Sequence, residues 1–302
     1  MKKIIVLAAG FVMAASLAAC SGSQPTATTT KEAAPAEETG TETDGKTQAG
    51  AEAEVKLSGR LAAIKEAGVL KIATSPDYPP YEFEDLSKSG QDKYVGADME
   101  LAKYIADKLG VSLEINAMAF DACLAAVSEG RVDLTICGMV PKDERKTAMD
   151  FTNVYYNDGQ QVIVTLKDKA DQYQSLKDFA GKKVAAQNGT LQFDLVTEQL
   201  PDSQCELITA VPDGIMMLKT GKVDAIALAS VSAGNYVANY PELVICEPQF
   251  EYDSLGVVVG VVKNEPELMD ALNEIIDEVI ESQVYYQWLE EASALSNQVQ
   301  GQ

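Results

Sequence analysis

The sequence contains no histidine. That absence removes the commonest general base, the Ser-His and Cys-His nucleophile pairs and imidazole metal ligands. An enzyme built from this chain would depend on carboxylate, Lys, Tyr or Cys chemistry. Cations are scarce as well: 24 Lys and Arg stand against 46 Asp and Glu, a formal charge of −22. A field of that sign repels phosphate backbones and anionic lipid surfaces, so a nucleic-acid partner is excluded. Aromatic residues make up only 7%, yet 46% of the 302 residues are hydrophobic, enough to bury the core of one large domain or two modest ones.

Met1-Lys2-Lys3 supplies a positive start, and residues 4–19 are apolar or small but too few for a comfortable membrane span, the pattern of a secretory signal. Leu17-Ala18-Ala19-Cys20, followed by Ser21 and Gly22, resembles a bacterial lipobox, in which the cysteine is lipidated and becomes the mature N-terminus. Residues 1–19 are thus expected to be a lipoprotein signal peptide. Cys20 is expected to carry the lipid, palmitate included, that holds the protein at the extracytoplasmic face of the cell membrane. Residues 21–54 contain no Leu, Ile, Val, Met or aromatic side chain. Nothing there offsets the entropy of ordering, and residues 20–56 read as the lipidated cysteine and a disordered acidic tether.

The body alternates strands and helices. A strand at 69–74 precedes a helix at 98–109, where Leu101, Ile105 and Leu109 recur every four residues and Gly110 supplies the stop. A strand at 111–115, a helix at 121–128, a strand at 132–136 and a polar helix opening near Pro141 follow. A second series runs through a strand at 162–166, a helix at 176–179, a strand at 184–186, helices at 191–200 and 214–220, and a strand at 224–228. This order predicts mostly parallel sheets flanked by helices. Glu129-Gly130-Arg131-Val132-Asp133-Leu134 and Thr220-Gly221-Lys222-Val223-Asp224-Ala225 occupy like places in the two series and suggest two similar lobes. In each, Gly ends a helix at positive φ, a cation faces the helix C-terminus and Val starts a buried strand. Residues 266–280 form an amphipathic helix, and 285–289 pack as a final turn or two.

Leu70-Lys71-Ile72-Ala73-Thr74, Tyr78-Pro79-Pro80-Tyr81-Glu82-Phe83 and Val95-Gly96-Ala97-Asp98-Met99-Glu100-Leu101-Ala102 resemble the opening of the family 3 bacterial extracellular solute-binding proteins. Gly138, Asp143-Glu144-Arg145, Asp150-Phe151, Tyr155-Tyr156 and Asn188-Gly189-Thr190 continue the likeness in order and spacing. The resemblance implies a two-lobed, type II periplasmic-binding-protein fold whose lobes, each a mostly parallel sheet with helices, are joined by two hinge strands. Lobe I would take residues 57–156 and 257–302, and lobe II residues 157–256. It implies a monomeric body that captures an amino acid or similar small carboxylate and delivers it to the permease and ATPase of an ABC importer, without a cofactor.

By the same resemblance Arg145 receives the ligand carboxylate, a role that its planar fork suits. Thr190, opening a helix, offers a hydroxyl and a positive helix end to the same carboxylate, and simple N-capping is compatible with that. Tyr78 and Phe120 would sandwich the solute. Gly138 lets backbone approach it, and Met139, Val140, Ser75, Gln187 and Ala229 complete the expected ligand-binding set. Ala229 stands where amino-acid binders of the family carry an acid for the α-ammonium, Val140 where a hydroxyl is usual and Ser75 where Asp is frequent. The far end of the pocket is therefore expected to be uncharged: either Asp77, Asp121 or Asp194 moves in to compensate, or Tyr78 or Phe120 supplies a cation-π contact, or the ligand carries a carboxylate without an α-amine. Cys123, Cys137, Cys205 and Cys246 read as small hydrophobes of unreadable pairing, and a metal site is not expected. A binding and delivery module is the reading favoured over two others, a dehydratase-like cleft enzyme working through carboxylates and a receptor's ligand-sensing domain.

Overall fold

The computed structural model describes residues 58–299; the expected signal peptide, lipid attachment at Cys20 and tether lie outside the described residues. Two five-stranded sheets, each flanked by helices, form two lobes. In the first the strand order is Ser112–Ala117, Val69–Thr74, Leu134–Thr135, Gly260–Val262, Met149–Phe151. Its first three strands are parallel, and Gly260–Val262 runs antiparallel to both neighbours. The second sheet repeats the plan: Gln204–Ile208, Lys183–Gln187 and Ala225–Ala229 are parallel, followed by antiparallel Gln161–Leu166 and Leu243–Gln249.

Helices on both faces bury most of the interior strands, which is why these read as largely apolar runs. Ala225–Ala229 is buried at every position, and Val162 and Val164 face one hydrophobic cluster while Ile163 faces the other. The paired Gly-cation-Val-Asp segments serve the scaffold. Gly130 and Gly221 sit at φ +69° and +72°. Asp133 accepts the Lys71 N–H at 2.7 Å, and Asp224 accepts the Lys183 N–H at 2.9 Å. Each Asp pins the start of the neighbouring strand.

The chain leaves the first sheet after Phe151 and returns at Gly260, and where the two crossing segments meet Tyr156 and Val257 form an isolated antiparallel bridge. A crossing of only two segments is the geometry of a hinge.

Several expected elements differ. The polar helix after Pro141 is only a 3-10 turn, Asp143–Thr147, and 176–179 is another. The final turn or two at 285–289 is a full helix, Val284–Val299, whose buried stripe continues through Ala292 and Ser296, residues too small and polar to register as periodicity. Helix Gly59–Ala67, edge strand Gln204–Ile208, helix Ser230–Asn239 and strand Leu243–Gln249 were not expected, nor was a small sheet of Asp77–Tyr78, Glu82–Glu84 and Tyr94–Val95.

Candidate functional site

A cavity of about 500 Å³, counted to its open mouth, lies where the two sheets face each other. All ten expected ligand-binding residues line it: Ser75, Tyr78, Phe120, Gly138, Met139, Val140 and Arg145 from the first lobe, and Gln187, Thr190 and Ala229 from the second. Tyr81, Glu82, Asp158 and Gln161 line it too.

One corner is positive. Arg145 rides on the turn Asp143–Thr147 and is only 6% exposed. Asp143 pairs with Lys146 and Glu144 with Lys142, and the guanidinium turns inward instead. Its Nη1 donates to the Val140 carbonyl at 2.9 Å, its Nη2 to the Gly189 carbonyl at 2.7 Å, and its Cζ lies 5.4 Å from the Phe120 ring centroid. Burial lowers its pKa, but a guanidinium stays charged in any protein. Gly189 leads directly into Thr190, the N-cap of helix Leu191–Gln199, whose Oγ1 donates to the Gln187 carbonyl at 2.7 Å and accepts the Phe193 N–H at 3.3 Å. The first N–H groups of a helix lack intrahelical partners and carry its positive dipole end. Guanidinium and helix tip therefore converge, one from each lobe.

Another part of the lining carries carboxyl groups, Glu82 and Asp158, to which the sequence reading gave no role. Its frame is the start of helix Ala97–Leu109, which has no side-chain cap; instead the Ala97 N–H donates to the Pro80 carbonyl at 3.0 Å and the Asp98 N–H to the Tyr81 carbonyl at 2.9 Å. That close approach of backbone to backbone requires glycine at 96, where φ is +131°. Asp98, fully buried, accepts the Gly138 N–H at 2.7 Å, the Tyr155 hydroxyl at 2.8 Å and the Tyr285 hydroxyl at 2.6 Å.

Glu82 lies beside it with no exposed surface and with neither carboxylate oxygen hydrogen-bonded. Burial, with the Asp98 charge second, holds its pKa well above the ordinary carboxylate range. Asp158, in the crossing segment, is by contrast fully engaged: Gln161 Nε2 donates at 3.0 Å, the Tyr252 hydroxyl at 2.8 Å and the Gly256 N–H at 3.1 Å, and the Ser254 hydroxyl also donates. Sequence reasoning missed both. A usable signal for Glu82 was strand alternation: Phe83 packs away against Val95 and Ala292, which turns its neighbour to the other face.

The three acids expected as substitutes do not line the cavity. Each ties the first lobe to the second. Asp77 Oδ2 accepts from Gln187 Nε2 and the Val211 N–H, both at 2.9 Å; Asp121 accepts from Asn188 Nδ2 at 2.8 Å; Asp194 pairs with Lys142. The Phe120 face is taken by Arg145. The Tyr78 hydroxyl accepts the Ala229 N–H at 2.8 Å, another tie between lobes.

Asp77 makes the fold sensitive to pH. Burial pushes its pKa up from 3.8 to about 6, against the pull of its hydrogen bonds. A pKa raised in the folded protein means that the fold is penalised while the group is ionised, and that the penalty fades as pH falls through the window from about 6 toward 3.8. The stability of wild type relative to Asp77→Asn is therefore expected to rise by about 1 kcal/mol between about pH 7 and 5, read from denaturant midpoints; a flat difference contradicts it.

The sequence profile of the bacterial extracellular solute-binding proteins, family 3, matches residues 70–291. The arginine-binding extracellular protein ArtP of Bacillus subtilis is 32% identical over 219 residues, 71% of this chain and 82% of its own. Among solved structures, the amino acid ABC transporter substrate-binding protein AbpA from Streptococcus pneumoniae, bound to L-arginine, superposes with a TM-score of 0.74 at 36% identity, covering 78% of this chain and 98% of that one. The ancestral amino acid-binding protein AncCDT-1, a precursor of cyclohexadienyl dehydratase, gives 0.70 at 28% identity, over 77% and 99%.

Proposed function

This chain belongs to the bacterial extracellular solute-binding proteins of family 3, and from that premise we propose that it captures an arginine-type amino acid between its lobes for delivery to an ABC importer. The observation that carries the reading is a charge inventory. One guanidinium, Arg145, and two carboxylates, Glu82 and Asp158, line the cavity, the inverse of one carboxylate and two cationic groups on arginine. Arg145 and the helix tip at Thr190 take the α-carboxylate. Glu82, which no protein donor satisfies, takes the side-chain cation. Ala229 offers the α-ammonium no charge, and Asp158, oriented by its four donors, is the negative group left for it. Tyr78 and Phe120 wall the solute, with Gly138, Met139, Val140, Ser75 and Gln187 around it.

The lobes close about the crossing near Tyr156 and Val257, with lobe I formed by residues 57–156 and 257–302 and lobe II by 157–256. The protein binds and delivers without turnover, as a monomeric body held to the membrane through a lipid on Cys20. Calorimetry with L-arginine, L-citrulline and agmatine tests this. Arginine should bind one to one and at least about tenfold more tightly than citrulline, which lacks the side-chain charge. Agmatine, which lacks the carboxylate, should not bind measurably, and bound arginine should be recovered unchanged. Equal affinity for arginine and citrulline refutes the role of Glu82.

A further inference from the structure

Glu82 and Asp98 are adjacent buried carboxyls in very different states. Asp98 takes three donors, whereas neither oxygen of Glu82 has one. Two carboxylates side by side in a dry wall do not both stay ionised without a cation or a proton between them. Among the described residues the surroundings supply no cation. Asp98 faces Glu82 from helix Ala97–Leu109, Asp77 from the adjoining strand and Cys137 from behind, all anionic or neutral. Arg145, on the same cavity, is engaged with the carbonyls of Val140 and Gly189.

From this juxtaposition we propose that Glu82 is a proton-cation exchange site, holding a proton in the solute-free protein and releasing it to water when the cationic end of the solute arrives. The Glu82 carboxyl reaches Asp98, so the proton has an acceptor until it leaves. The direction of titration agrees: burial raises both carboxyls, but at Asp98 the two tyrosine hydroxyls and the Gly138 N–H pull back. The inference rests on the arginine-type reading above. It adds a sign that the reading alone lacks, because solute and proton compete for one carboxylate. Through Glu82 alone, affinity for a cationic solute falls as pH falls, while a neutral solute displaces no proton.

The test combines infrared difference spectroscopy with calorimetry on the mature chain, using L-arginine and L-citrulline as probes. At neutral pH the solute-free protein should show a protonated-carboxyl band that Glu82→Gln lacks, and saturation with arginine should remove it. Calorimetry in phosphate and in Tris, whose ionisation enthalpies differ, should report release of about one proton per arginine and none per citrulline. A spectrum without the band overturns the proposal whatever binds. A band that persists under bound arginine, or arginine binding with no proton released, overturns the exchange. If the band is present but arginine fails to bind, the solute reading falls while the proton on Glu82 stands.

Discussion

Arg145→Ala is expected to weaken capture of a carboxylate solute by roughly 30-fold to several thousandfold, the effect of removing one partner of a desolvated, hydrogen-bonded ion pair at about 2 to 5 kcal/mol. Two features favour the upper part of that range. The guanidinium is oriented before solute arrives, by the Val140 and Gly189 carbonyls and the Phe120 ring, so no side-chain ordering is left to offset its contribution. No second lysine or arginine lines the cavity among the described residues, which leaves only the helix tip at Thr190 to hold the anion. Arg145→Lys keeps the charge but loses the planar fork and should fall between the two. The melting temperature of the solute-free variant separates binding from folding. It should change little, because removing a buried cation relieves desolvation even as two carbonyls lose a donor. Retained affinity in a folded Arg145→Ala protein places the carboxylate elsewhere.

Gly96→Ala should be the most damaging single methyl in the first lobe. A Cβ there would stand 2.1 Å from the Tyr81 carbonyl oxygen, 2.6 Å from its carbon and 2.9 Å from Glu82 Cα, all backbone atoms that cannot swing aside. Relief requires moving helix Ala97–Leu109 away from Pro80 and Tyr81, which costs the two hydrogen bonds that stand in for its cap and leaves their donors buried. The loss should reach about 3 kcal/mol or more, measured as a fall in denaturant midpoint. Because the same contact sets Glu82 beside Asp98, protein that still folds should also bind its solute less tightly. Gly234→Ala is the matched control. Nothing lies within 4 Å of its added Cβ, it sits inside helix Ser230–Asn239, and alanine there should stabilise by about 0.5 to 1 kcal/mol. A Gly96→Ala protein as stable as wild type would falsify this account of the helix start.

What could be read from the sequence follows what each side chain does locally. Ala225–Ala229 announces itself because a strand buried on both faces must be apolar throughout. Gln204–Ile208, an edge strand with a mostly exposed or half-buried pattern, has no such constraint and leaves no signature. The helix after Pro141 failed for another reason: Asp143, Glu144, Arg145 and Lys146 are acceptable in a helix, but the segment serves to aim one guanidinium and ends after a single tight turn. Family resemblance supplied the cavity's membership, since Gly138, Arg145 and Thr190 sit in recognisable motifs. Its account of the charge balance stopped at Ala229, where the family's acid is missing. Glu82 lay inside a quoted motif without a role, and Asp158 acquires three of its four donors from residues nearly a hundred positions away, a pairing that no local pattern encodes.

The place of Gly260–Val262 in the middle of the first sheet sets an order of assembly. The strands of the second sheet come from one uninterrupted stretch, residues 161–249, so that half can fold as soon as its own chain is available. The first sheet stays split, with Met149–Phe151 separated from Leu134–Thr135, until residue 262 has been made, and Asp98 waits longer still for the Tyr285 hydroxyl. During synthesis and export the half begun earlier is thus the half completed later.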